Sequence, residues 1–158
     1  MVATAATIAI AGCGSGHQSI NPGAETWSQY NAEYLAEQHK LVLPVRIMWP
    51  KRAPEEATDQ GTAVTFQPGV GDDDADSYWY CAWEIRWLKD QSASRTEAAN
   101  KDLSQLRLLI HLPLYTNSTA PQDRHLYTDE WTRAELGDPT MIANDVTGCP
   151  TLLTRPGH

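Results

Sequence analysis

Positive charge is scarce in this chain. Only 12 Lys and Arg stand against 20 Asp and Glu, a formal net charge of -8 over 158 residues. Proteins that hold a nucleic-acid backbone do so with cationic side chains that displace its counterions, so this balance excludes DNA or RNA as the expected partner. Cations and basic peptides stay open as partners, although a modest acidic excess is also an ordinary solubility device. Catalytic signatures are missing as well. The histidines, His17, His39, His111, His125 and His158, show no H-E-x-x-H or other close ligand spacing, which removes the usual zinc sites. There is no G-x-S-x-G elbow, and Gly69-Val70-Gly71 lacks the third glycine and the basic residue of a phosphate loop. Internal repeats and coiled-coil heptads are also lacking. The expectation is a domain without a cofactor that binds rather than catalyses.

What is present suits one globular domain: 41% of the residues are hydrophobic and 20% charged. The 3 cysteines divide into one plus two. Cys81 and Cys149 would be free to pair in an oxidising compartment, and closing the loop between them would stabilise the fold by about 4 kcal/mol at best. In a reducing compartment they would remain two buried thiols, so the pairing stands or falls with export.

Residues 1–12, MVATAATIAIAG, form an uncharged run rich in alanine, followed by Cys13 and a small polar stretch. The run is short of the about 20 apolar residues a spanning helix needs, and fits the apolar core and small-residue cleavage site of an export signal. Ile10-Ala11-Gly12-Cys13 resembles the lipobox of bacterial lipoproteins: a branched apolar residue, two small residues, then cysteine. That resemblance implies cleavage before Cys13, diacylglycerol on its sulfur, and attachment to the outer face of the cell membrane. No Lys or Arg precedes the apolar run, unlike the family's signals, so the true start is expected upstream. Residues 13–23 read as a flexible tether, 24–150 as a single globular domain and 151–158 as a C-terminal tail.

Within the domain, Trp27, Tyr30, Tyr34 and Leu35 recur at helical spacing over Glu25–Lys40, with Glu25, Gln29, Glu33 and Glu37 on the complementary positions. Leu41–Trp49 carries Pro44 and reads as extended, and Thr62–Gln67 as a short strand closed by a turn at Pro68–Gly71. Ser77–Gln91 is apolar around nearly its whole circumference and predicts a buried central helix. A helix from Thr96 to about His111, with Ala99, Leu103, Leu106 and Ile110 as its seam, is expected next, ended by Pro113. Thr128–Leu136 reads as a short helix with Thr128 as N-cap and Gly137 as its stop, and Asp138-Pro139 opens another towards Val146. The predicted fold is mainly α, a small helical domain around an aromatic central helix with a minor extended element.

Two clusters could carry function. Trp79, Trp83 and Trp87 fall at i, i+4 and i+8 and would form one stripe, able to stack a glycan or an apolar ligand but more ordinarily core. Asp72, Asp74 and Asp76 have the spacing that begins a calcium loop. The pattern then fails, with Ser77 and Trp83 where an EF-hand type loop needs Gly and Glu, and helix-start electrostatics account for the aspartates without a metal. Gly69, Gly71, Ala75, Trp79, Cys81, Ala82 and Trp83 together resemble a pattern, G-x-G, then A, then W-x-C-A-W, of uncharacterised exported or membrane-associated actinobacterial proteins. No activity comes with that resemblance. The expected partners are the membrane, through lipid on Cys13, and an envelope protein or glycan.

Overall fold

A computed structural model of the chain describes residues 23–54, 64–150 and Leu153. It is mainly helical. The order is α1 (Trp27–Gln38), α2 (Val70–Ser92), α3 (Thr96–Leu106), α4 (His125–Glu135) and α5 (Thr140–Asp145), with 3₁₀ turns at Arg107–His111 and Val146–Gly148 and a π turn at Leu114–Ser118. Extended structure among the described residues amounts to one antiparallel bridge between Glu25 and Phe66. It takes the place of the expected strand, whose first two residues lie outside the described ones. None of the described helices is long and apolar enough to cross a membrane.

Helix α1 starts in a reciprocal cap. The Gln29 amide donates to the Thr26 hydroxyl, and the Gln29 side chain accepts from the Thr26 amide. Tyr30 and Tyr34 are buried as their spacing predicts, but so is Glu37, expected on the polar face; an ion pair to Lys40 compensates its charge. Helix α2 begins at Val70, well before Ser77, and takes in the residues expected as a turn and an acidic lead-in. The reason is tertiary. Glu33 of α1 accepts hydrogen bonds from the Gly69 and Gly71 amides at 3.1 and 3.2 Å and so caps α2 from outside its own sequence. Gly71 also permits the close crossing, since a Cβ there would lie 2.3 Å from the Tyr30 carbonyl oxygen.

The centre of the domain is built on α2, whose Trp79, Tyr80 and Trp87 pack with Leu103, Leu106, Leu109, Trp131 and Ile142. The seam of α3 shifts at its end: Leu109 is fully buried and Ile110 is 40% exposed, the reverse of expectation. From Arg107 the chain winds as a 3₁₀ helix, so the inward face advances by three residues in that turn, from 106 to 109. Helix α4 starts at His125, so Thr128 is an interior residue whose hydroxyl bonds the His125 carbonyl and is not the N-cap. Gly137, at φ 81°, does stop that helix. Cys81 on α2 is joined by a disulfide to Cys149 beyond α5. Leu153 is buried against Tyr78 and Ala82, so packing continues past the expected boundary at residue 150.

Candidate functional site

The sequence-predicted residues occupy three separate places. Trp79 and Trp87 are buried in the core and Trp83 is half-buried. The indole N–H groups of Trp79 and Trp83 both donate to the Val42 carbonyl at 3.0 Å, so the stripe pins the non-helical segment after α1 onto α2. Only Trp83 retains a partly open face. Asp72, Asp74 and Asp76 lie inside the first turns of a helix, where alternate positions diverge. Asp74 accepts the Tyr30 hydroxyl and Asp76 accepts the Leu114 amide at 2.9 Å, and the three form no group of metal-ligand spacing among the described residues. Burial pushes Asp76 up to about 7, with the Leu114 N–H acting against it. His39, His111 and His125 are exposed, and none pairs with a carboxylate among the described residues. His17, His158 and the lipobox through Cys13 lie outside those residues.

A different constellation emerges where α2, α4 and α5 meet. Glu84, Glu130 and Asp145 bring one carboxylate oxygen each to within 4.8 Å of one another. Their exposures form a gradient. Glu84, in the middle of α2, is 0% exposed, Glu130 is 6% exposed, and Asp145 at the end of α5 faces solvent. Trp131 donates its indole N–H to the Tyr80 oxygen at 2.8 Å, and the Tyr80 hydroxyl donates to Glu130 Oε1 at 2.5 Å, which fixes one arm of the cluster. Glu130 and Asp145 line a cleft of about 480 Å³ together with Asp123, Tyr127 and Asn144.

Glu84 is supported differently, through a side-chain hydrogen bond with Asp145 that needs a proton between the two carboxyls. Its Oε1 is buried and accepts no hydrogen bond, and its Oε2 faces the Cys149 sulfur at 3.8 Å, a disulfide sulfur with no proton to donate. Among the described residues no Lys or Arg forms an ion pair with any of the three carboxylates. Burial, reinforced by the charges of Asp145 and Glu130, pushes Glu84 up to about 10. Glu130 rises to about 7, through burial first, with the Tyr80 hydroxyl opposing and Asp145 adding. At neutral pH the innermost carboxyl therefore holds a proton unless another positive charge replaces it.

Sequence reasoning missed this cluster, although one signal was available. Glu84 is the lone carboxylate between Trp83 and Ile85 on a helix read as buried on every side, and such a residue is almost never fully buried without a partner. Nothing local marks Glu130 or Asp145, which join it only through tertiary packing. Compared with known proteins, the chain matches no protein-family model, no curated protein and no solved structure.

Proposed function

We propose that this chain is an exported domain, held at the outer face of the cell membrane by lipid on Cys13, that acts by binding an envelope component rather than by catalysis. The observation that carries the reading is the Cys81–Cys149 disulfide, because such bonds persist in oxidising compartments and are rare in the cytosol. It is independent of the lipobox resemblance at Ile10-Ala11-Gly12-Cys13 and supports the same address. A binding role is supported by the cleft's lining, in which no histidine or cysteine stands among the described residues. Glycan binding through the tryptophan stripe is the weaker reading, since Trp79 and Trp87 are committed to the core and only Trp83 could meet a ligand.

Metabolic labelling with a fatty-acid probe tests the anchor. Label on the wild-type chain and none on Cys13→Ala is expected; an unlabelled wild type, or label that survives Cys13→Ala, would overturn it.

A further inference from the structure

The cluster of Glu84, Glu130 and Asp145 has no compensating Lys or Arg among the described residues. Three carboxylates converge from three helices with one oxygen of each within 4.8 Å of the others, and the innermost is fully buried with an oxygen, Oε1, that accepts no hydrogen bond. A buried carboxylate in that state needs either a proton or a cation. A proton on Glu84 would serve a single contact, leaving the remaining acidic oxygens gathered around the same point. One multiply charged cation would satisfy all three at once. We propose that Glu84, Glu130 and Asp145 form a binding site for a single divalent cation of the hard, oxygen-preferring class, calcium above all.

The all-oxygen donor set favours that class. Calcium sits about 2.3–2.6 Å from each oxygen, so its ligands lie up to about 5 Å apart, and the three oxygens, all within 4.8 Å of one another, meet that bound. Its six to eight ligands need more oxygens than three carboxylates supply. The cleft that Glu130 and Asp145 line provides candidates in Asp123 and Asn144, and it is open to water that would complete the shell. The Trp131–Tyr80–Glu130 hydrogen-bond chain orients one ligand before the ion arrives, as ligand-supporting groups do in metal sites. Zinc is disfavoured: Cys81 and Cys149 adjoin Glu84, but their sulfurs are bonded to each other and offer no thiolate. This inference concerns what the domain binds and does not depend on the anchor at Cys13.

Terbium luminescence tests it, because Tyr80, Tyr127 and Trp131 lie close enough to sensitise a lanthanide in a calcium site. The full chain, unreduced, is titrated with terbium and then with competing calcium, alongside thermal melts in calcium. Extracellular calcium modules bind at about 0.1–1 mM, so saturable emission displaced by calcium in that range, with a rise in melting temperature, is the expected result. Asp145→Asn, at an exposed position, should weaken calcium binding at least about tenfold while the metal-free chain still melts cooperatively, and Glu84→Gln should abolish binding. Absence of sensitised emission together with no calcium-dependent melting shift would overturn the proposal. So would calcium binding that survives both substitutions, or that is lost instead in Asp72→Asn, which would place the ion on the aspartate run at the start of α2.

Discussion

Two carboxylates on α2, Asp90 and Glu84, lie under two helical turns apart and are both fully buried, yet their surroundings are opposite. Asp90 accepts hydrogen bonds from Arg86 at 3.0 Å and from Arg95 Nε at 2.9 Å. Burial alone would raise Asp90, but the two guanidinium groups overcome it and hold the carboxyl below its ordinary range. Glu84 has two further carboxylates where Asp90 has arginines, and it is driven the other way. The contrast teaches that burial of an acid does not by itself mark a site. Compensation does: Asp90 and its neighbour Asp102 share Arg86 and Arg95, whereas no Lys or Arg pairs with the Glu84 cluster among the described residues.

The largest expected effect concerns the bond that both clusters share a helix with. Replacing Cys81 and Cys149 together by alanine should cost up to about 4 kcal/mol, read as a lower denaturation midpoint, and it also removes the Cys149 sulfur that lies against Glu84. A loss below about 1 kcal/mol would mean that the bridge does not fasten the domain. Asp90→Asn comes next, at about 2–3 kcal/mol, because Arg86 and Arg95 lose a buried charged partner while keeping part of their solvation. The same change at Glu84 should go in the opposite direction. Glu84→Gln, measured without divalent cations at neutral pH or above, should be neutral or stabilising by up to about 1 kcal/mol, since it replaces a group that must hold its proton against solvent. Equal destabilisation by both substitutions would break the comparison.

The pH dependence sharpens it further. Glu84, Glu130, Asp76 and Asp102 all rise in the folded state, to about 10, 7, 7 and 6, so the folded chain holds more protons than the unfolded one above their ordinary values. Stability is therefore fullest at low pH and is lost as pH climbs through those windows. Asp90, shifted down, acts oppositely and loses its contribution only as pH falls towards its lowered folded value. The melting temperature should fall between about pH 5 and about pH 8, each buried carboxyl contributing up to about 1.4 kcal/mol per pH unit, and Glu84→Gln should flatten that slope. A slope unchanged by Glu84→Gln would show that Glu84 does not carry the excess proton. Smallest of all is Asp145→Asn in the absence of metal, within about 0.5 kcal/mol of wild type by denaturant unfolding, as befits an exposed position.

The same split between local and tertiary causes decides what was legible in the sequence. Helix α1, the stop at Gly137, the aromatic centre of α2 and the cysteine pair rest on spacing, caps and residue type, and the structure has them. The early start of α2 was hidden because its cap, Glu33, lies on another helix. Leu109 displaced Ile110 from the core through a 3₁₀ winding that an α-helical period cannot anticipate. Thr128 has the chemistry of an N-cap but sits inside α4, bonding back to His125. The carboxylate cluster was hardest to see, since Glu130 and Asp145 are unremarkable in their own segments and matter only beside Glu84. The aspartate run at Asp72–Asp76, visible by its spacing, diverges instead on a helix.

Calorimetric titration of the unreduced full chain with calcium, near neutral pH, bears most directly on the central claim. One calcium per chain should bind with saturable heat, and that heat should be lost in Glu84→Gln and much reduced in Asp145→Asn. No saturable heat, or calcium binding that both variants retain, would contradict the account.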